Sequence, residues 1–209
     1  YGYGPTEDEI NMAYAVATEQ ILEGLGADVT LTLYPDQLDD QEEKLVLFDR
    51  MKIAKEADAD VFISMHHNSV DATADANNVT GLEVYYFTDH SEALAADIAA
   101  SISASTGRTN RGDFQSYYVV TKMTYCPAVL TEIGYIVNPA EYEDLIQPET
   151  IFRTASPSRF WMCCPDTPID TEQRTVLSGS PLFFAVYDAY RFAADPPRLG
   201  NTKMRPGSG

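Results

Sequence analysis

Two short apolar runs end in residues able to do zinc chemistry. Val61-Phe-Ile-Ser-Met-His-His-Asn68 closes on His66, and Pro127-Ala-Val-Leu-Thr-Glu-Ile-Gly-Tyr135 carries Glu132. A short apolar run bounded by polar and glycine residues predicts a buried strand of an α/β sheet. Catalytic and ligating groups in such sheets gather at the carboxyl ends of the strands. The start of the chain supplies a third group, Glu7, so an imidazole and two carboxylates are expected at one sheet edge. That set points to a metallohydrolase.

Taken singly, each residue has a plainer reading. Glu7 precedes Ile10 by three and Tyr14 by seven, which puts it on the inward stripe of a helix. A carboxylate in a first turn also gains from the helix dipole alone. His66 after an apolar strand also suits a hydrogen-bonded structural histidine. Side chains alternate along a strand, so His66 and His67 are not expected to face one site together. Glu132 resists the plain reading most, because a carboxylate in an apolar strand is costly unless paired or functional. Gly134 beside it is expected to leave room for substrate.

The elements that must hold these groups follow from periodicity. Glu7 to Leu25 predicts an amphipathic helix, with Ile10, Tyr14, Ala17, Ile21 and Leu25 at helical spacing. Thr6 and Glu9 make a capping box, and Gly24 and Gly26 stop the helix. Strands are predicted at Asp28 to Leu33, Val61 to Met65, Gly81 to Phe87, Tyr117 to Val120 and Ala128 to Thr131. Further helices are predicted at Glu42 to Ala57 and Ser91 to Ser105. Strands alternating with helices imply an α/β fold, a single domain with a mainly parallel twisted sheet and helices on both faces.

Residues 1–155 form the expected catalytic domain. Residues 156–180 change character, with Pro157, Pro165, Pro168 and clustered Thr, Ser and Gly, and predict a loop or insertion. Phe160 and Trp161 within it suit a tucked aromatic pair. A C-terminal helix of the same domain is predicted over 181–194, on the apolar pattern from Phe183 to Phe192, and a flexible tail over 195–209.

Composition sets the outer limits. A chain of 209 residues with formal charge −18 and pI near 4.3 is a poor partner for nucleic acid or anionic membrane. No apolar run approaches the ~20 residues of a membrane helix. Cys126 opens an apolar strand as a small buried hydrophobe. Adjacent Cys163 and Cys164 lack both disulfide geometry and the spacing of a structural zinc site.

Three segments, Glu7-Asp-Glu-Ile-Asn-Met12, Ile63-Ser-Met-His-His-Asn-Ser69 and Pro127-Ala-Val-Leu-Thr-Glu-Ile-Gly-Tyr-Ile-Val-Asn138, resemble three motifs of the zinc-dependent N-acetylmuramoyl-L-alanine amidases, the amidase 3 family. The connecting pieces Gly26-Ala-Asp-Val-Thr-Leu-Thr, Arg50, Gly81-Leu-Glu-Val-Tyr-Tyr and Asn110-Arg-Gly112 match in the same order. The resemblance spans roughly residues 4 to 152 and is specific as a set.

It implies zinc as cofactor with Glu7 and His66 as ligands, and Glu132 as the catalytic carboxylate that moves the attacking water's proton. It also implies peptidoglycan as partner, cleavage between N-acetylmuramic acid and L-alanine, and a secreted location in cell wall or periplasm. Substrate-binding residues are not assigned. Two departures stand out. The family's first zinc ligand, a histidine in a Gly-His-Gly turn after a first strand, is expected upstream of Tyr1. Without that strand, the sheet has a position that something else must cover. His90 is the remaining histidine, in a polar loop that predicts a surface residue. Leu33 stands where the family usually has arginine. The alternative is a catalytically silent relative that binds peptidoglycan or regulates a partner.

Overall fold

The computed structural model describes residues 4–38, 47–71, 73–123 and 125–156, with the backbone of 183–186. The chain enters through α1 (Glu7–Gly24), whose capping box is built as predicted: the Thr6 side chain accepts from the Glu9 amide and the Glu9 carboxylate takes the Thr6 amide. Strand β1 (Asp28–Leu31) and helix α2 (Leu47–Glu56) follow, then β2 (Val61–Asn68), β3 (Leu82–Tyr86) and α3 (Glu92–Thr106). Next come β4 (Asn110–Gln115), β5 (Ala128–Tyr135), α4 (Pro139–Leu145), α5 (Pro148–Ala155) and β6 (Phe183–Val186).

The six strands form one sheet in the order β1-β6-β2-β5-β3-β4. Every pairing is parallel except β3 with β5. That reversal matters to the site, since it brings the start of β3 to the edge where β2 and β5 end.

Side-chain alternation splits the core into two layers. Ile63, Met65, Val84, Val129 and Ile133 pack beneath α1 and α3 with Tyr14, Leu22, Ala95 and Ile98. Phe62, Leu130, Ala128 and Tyr85 face the other way, against Ala54 of α2 and the turn that carries Tyr118, Val120 and Met123. Cys126 is a free buried thiol in this second layer, and burial raises its pKa to about 11.

Two expected elements are different. Tyr117 to Val120 is no strand; the chain there makes a short 3-10 turn at Val120–Lys122. Its apolar residues Tyr118 and Val120 reach the core from the turn, and the edge strand is the polar β4 just before it. The helix expected over 181–194 is, at Phe183–Val186, the strand β6. A short apolar run does not declare its period, and this one pairs with both β1 and β2 as a strand. Residues 157–182 and 187–209 lie outside the described residues, and with them Trp161, Cys163 and Cys164.

Candidate active site at the sheet edge

His66 and Glu132 are register partners on neighbouring parallel strands β2 and β5. Adjacent strands run ~4.8 Å apart, so the two side chains stand side by side on one face at the carboxyl edge. His66 is buried at 3% exposure, and Glu132 is the one partly exposed residue of β5. Glu7 approaches from the first turn of α1, as its helical spacing requires. Its Oε1 stands 3.3 Å from His66 Nδ1. The expected grouping of Glu7, His66 and Glu132 is therefore present.

The histidine pair obeys strand alternation. His67 turns under α1, where it is 2% exposed, meets the Tyr14 ring edge-on and holds Asn11 at 2.6 Å from Nδ1 to Oδ1. Burial first, then the electrostatic influence of His66 and Arg108, holds this imidazole well below the usual histidine range. Asn11 uses its other end on the site, its Nδ2 donating to Glu7 Oε1 at 3.4 Å. Because the amide donates there, Oδ1 must accept from His67, which puts the proton on Nδ1. Asn11 escaped the sequence reading, although it lies one helical turn from Glu7 on the same inward stripe.

A second buried carboxylate also escaped it. Glu83 is the antiparallel register partner of Glu132 and is 1% exposed. Its Oε1 takes Arg111 Nε at 2.6 Å and the Tyr135 hydroxyl at 3.4 Å. Its Oε2 takes the Tyr85 hydroxyl and, at 3.3 Å, Asn68 Nδ2. Leu82-Glu-Val-Tyr-Tyr86 carried the same signal as the run before Glu132, a charge inside an apolar strand.

Two other expectations resolve clearly. His90 is exposed in the turn after β3, and since β3 runs opposite to β5, it lies at the far edge of the sheet from His66. It cannot stand in as a ligand. Gly134 does not make room for substrate. A Cβ there would lie 2.8 Å from Arg108 Nη1 and 3.1 Å from Leu145 Cδ1, so the glycine serves the packing of α4.

The donor set suits zinc as far as it goes. Ligand atoms at ~2.0–2.2 Å from one tetrahedral zinc lie ~3.3 Å apart, and the carboxylate and imidazole of Glu7 and His66 show that separation. A direct hydrogen bond has the same length. Among the described residues no group of three or more His, Cys, Asp or Glu could hold a metal ion. Strand β6, which fills the position between β1 and β2, brings only Phe183, Phe184, Ala185 and Val186 there.

Comparison with known proteins gives this edge a context. Residues 1–155 match the amidase 3 family, described as N-acetylmuramoyl-L-alanine amidase. A probable cell wall amidase, LytH, of Staphylococcus epidermidis is 33% identical over 138 residues, which is 65% of this chain and 41% of that protein. The chain thus spans less than half the length of the curated relatives it matches. The catalytic domain of the amidase CwlV from Bacillus (Paenibacillus) polymyxa var. colistinus aligns with TM-score 0.62 and 33% identity, over 71% of this chain and 78% of that one. The amidase AmiC2 of Nostoc punctiforme aligns at TM-score 0.63 and 28% identity, over 74% and 81%.

Proposed function

The chain belongs to the N-acetylmuramoyl-L-alanine amidase family, and from that premise we propose that it hydrolyses the amide between N-acetylmuramic acid and L-alanine in peptidoglycan, with zinc as cofactor. One observation carries the reading: Glu7, His66 and Glu132 converge on one sheet edge from three separate elements. Peptidoglycan as substrate suits the relatives named as cell wall amidases, and action on it implies secretion to the wall or periplasm. No helix among the described residues is long and apolar enough to cross a membrane.

Glu7 and His66 would hold the metal, with a further ligand from outside the described residues. Zinc held there supplies Lewis acidity, which polarises the amide carbonyl and acidifies water. Glu132 stands beside His66 and is partly open to solvent. In this role its carboxylate takes the proton from attacking water and delivers it to the departing amine of L-alanine. Asn11 keeps the Glu7 carboxylate turned toward His66, so the ligand pair is formed before metal arrives.

The test is Glu132→Gln in the full-length protein. Folding and zinc content, read by elemental analysis, should match wild type. Release of stem peptide with a new L-alanine amino terminus from purified peptidoglycan should fall about 10²-fold or more. Equal release by both proteins would make Glu132 structural. Polymer binding without release by either would make the protein a silent binding relative, and wild type free of zinc after zinc-supplemented purification would remove the metal.

A further inference from the structure

Four adjacent strands line up a row of polar side chains on one face of the sheet edge. His66 on β2 is level with Glu132 on β5, and Glu132 with Glu83 on β3. Opposite Glu83 the β3–β4 register slips between Leu82/Asn110 and Val84/Asp113, leaving Arg111 and Gly112 to oppose one residue. The bulge turns Arg111 onto this face, where its Nε meets Glu83. The row runs ligand, proton carrier, buried carboxylate, cation.

Arg111 does more than a counter-ion needs. Glu83 already collects the Tyr85 hydroxyl, the Tyr135 hydroxyl and Asn68 Nδ2. The guanidinium is fixed on three sides, by Glu83 through Nε, by the Thr80 carbonyl through Nη1 at 3.3 Å, and by the Tyr135 ring 5.4 Å below its carbon. Its side chain is 34% exposed, and among the described residues nothing accepts from Nη2. Arg108, the other arginine near this edge, is buried against Glu141 and Asp144. A fixed, outward-facing fork of this kind is suited to a planar carboxylate.

Resting on the amidase reading, we infer that Arg111 is a specificity residue that binds a free carboxylate on the second or third residue of the stem peptide. The spacing agrees. Glu132 and Arg111 are two strand spacings apart, ~10 Å, and an extended peptide covers that in about three residues at ~3.5 Å each. The acidic surroundings sharpen the choice. With formal charge −18 over the chain, a substrate carboxylate entering a site already lined by Glu7, Glu83 and Glu132 needs a local cation.

The experiment compares matched muropeptides that differ only in carrying a carboxylate or a carboxamide at the second or third stem residue. It uses zinc-loaded, full-length protein. The readout is the ratio of kcat/KM for the two substrates within each variant, which cancels the fraction of active protein. Wild type should prefer the carboxylate form by about tenfold, most of it in KM, and Arg111→Gln should bring the ratio to about one. Binding of the same pair to the Glu132→Gln protein should show the same preference, independent of turnover. Wild type that cleaves both forms equally overturns the inference and leaves the amidase reading intact. A preference that survives Arg111→Gln also overturns it. Wild type that cleaves neither form ends the amidase reading, and the inference with it. Should Arg111→Gln fail to fold, Glu83→Gln/Arg111→Gln removes both members of the pair, and the binding ratio is read there.

Discussion

Asn11 joins two histidines that strand geometry sends to opposite faces. One end of its amide is on His67, under α1, and the other on Glu7, which reaches His66. Truncating it frees the carboxylate to rotate and strands a buried imidazole N–H. Asn11→Ala should therefore weaken zinc about 10- to 100-fold, read by chelator competition, and lower stability by ~1–3 kcal/mol, read by urea unfolding of metal-free protein. Unchanged zinc affinity would mean that Glu7 is held by other contacts. At this scale the sequence was legible where a residue stood at a marked position. Glu7 lay on an inward stripe and Glu132 at the end of an apolar run. Asn11 and Arg111 were not legible as site residues, because their roles come from partners on β2 and β3 that no local pattern names. Glu83 was legible on the ground that marked Glu132.

Among the elements, α4 fastens the end of β5, where the site is built. Glu141 on α4 accepts from Thr80 Oγ1 at 2.8 Å, the Gly81 amide at 2.9 Å and Arg108 Nη1 at 3.0 Å through one oxygen, and from the Tyr135 amide at 2.6 Å through the other. The carboxylate thus ties together the lead-in to β3, the segment before β4 and the end of β5. Glu141→Ala leaves the buried Arg108 with Asp144 alone and strips the Gly81 and Tyr135 amides of their acceptor, and should cost ~3–5 kcal/mol in urea denaturation. A cost below ~1 kcal/mol would show that solvent replaces the carboxylate. The extent of α1 was legible through its capping box, although its buried face runs through Ile10, Tyr14 and Leu22 and leaves Leu25 exposed. The short helices α4 and α5 were not read, and the other misses fell on strands. Tyr118 and Val120 are apolar for core contact without pairing, β4 is polar because it lies at the sheet edge, and β6 pairs between β1 and β2.

Over the whole molecule, 32 acidic residues stand against 14 Lys and Arg. Such an excess repels itself in the compact state, and salt relieves it by cutting the screening length from ~30 Å at 0.01 M to ~10 Å at 0.1 M. The thermal midpoint should rise over that range of sodium chloride, measured by calorimetry at neutral pH. A falling midpoint would mean that attractive pairs such as Arg111–Glu83 outweigh the net repulsion. The sheet order carries a further consequence, for how the chain reaches this state. Among the described residues, strand β1 has a single sheet neighbour, β6, which lies some 150 residues further along the chain. During synthesis on the ribosome, β2 to β5 can pair before β6 is made, with β1 packed on α1 and tied to α2 by Arg50 at Thr32. The long loop closure that admits β6 comes last and slows completion of the fold. Until residue 186 has emerged, β2 lacks the β6 partner it has in the folded sheet, and there a nascent chain can pair with its neighbours and a holding chaperone would act.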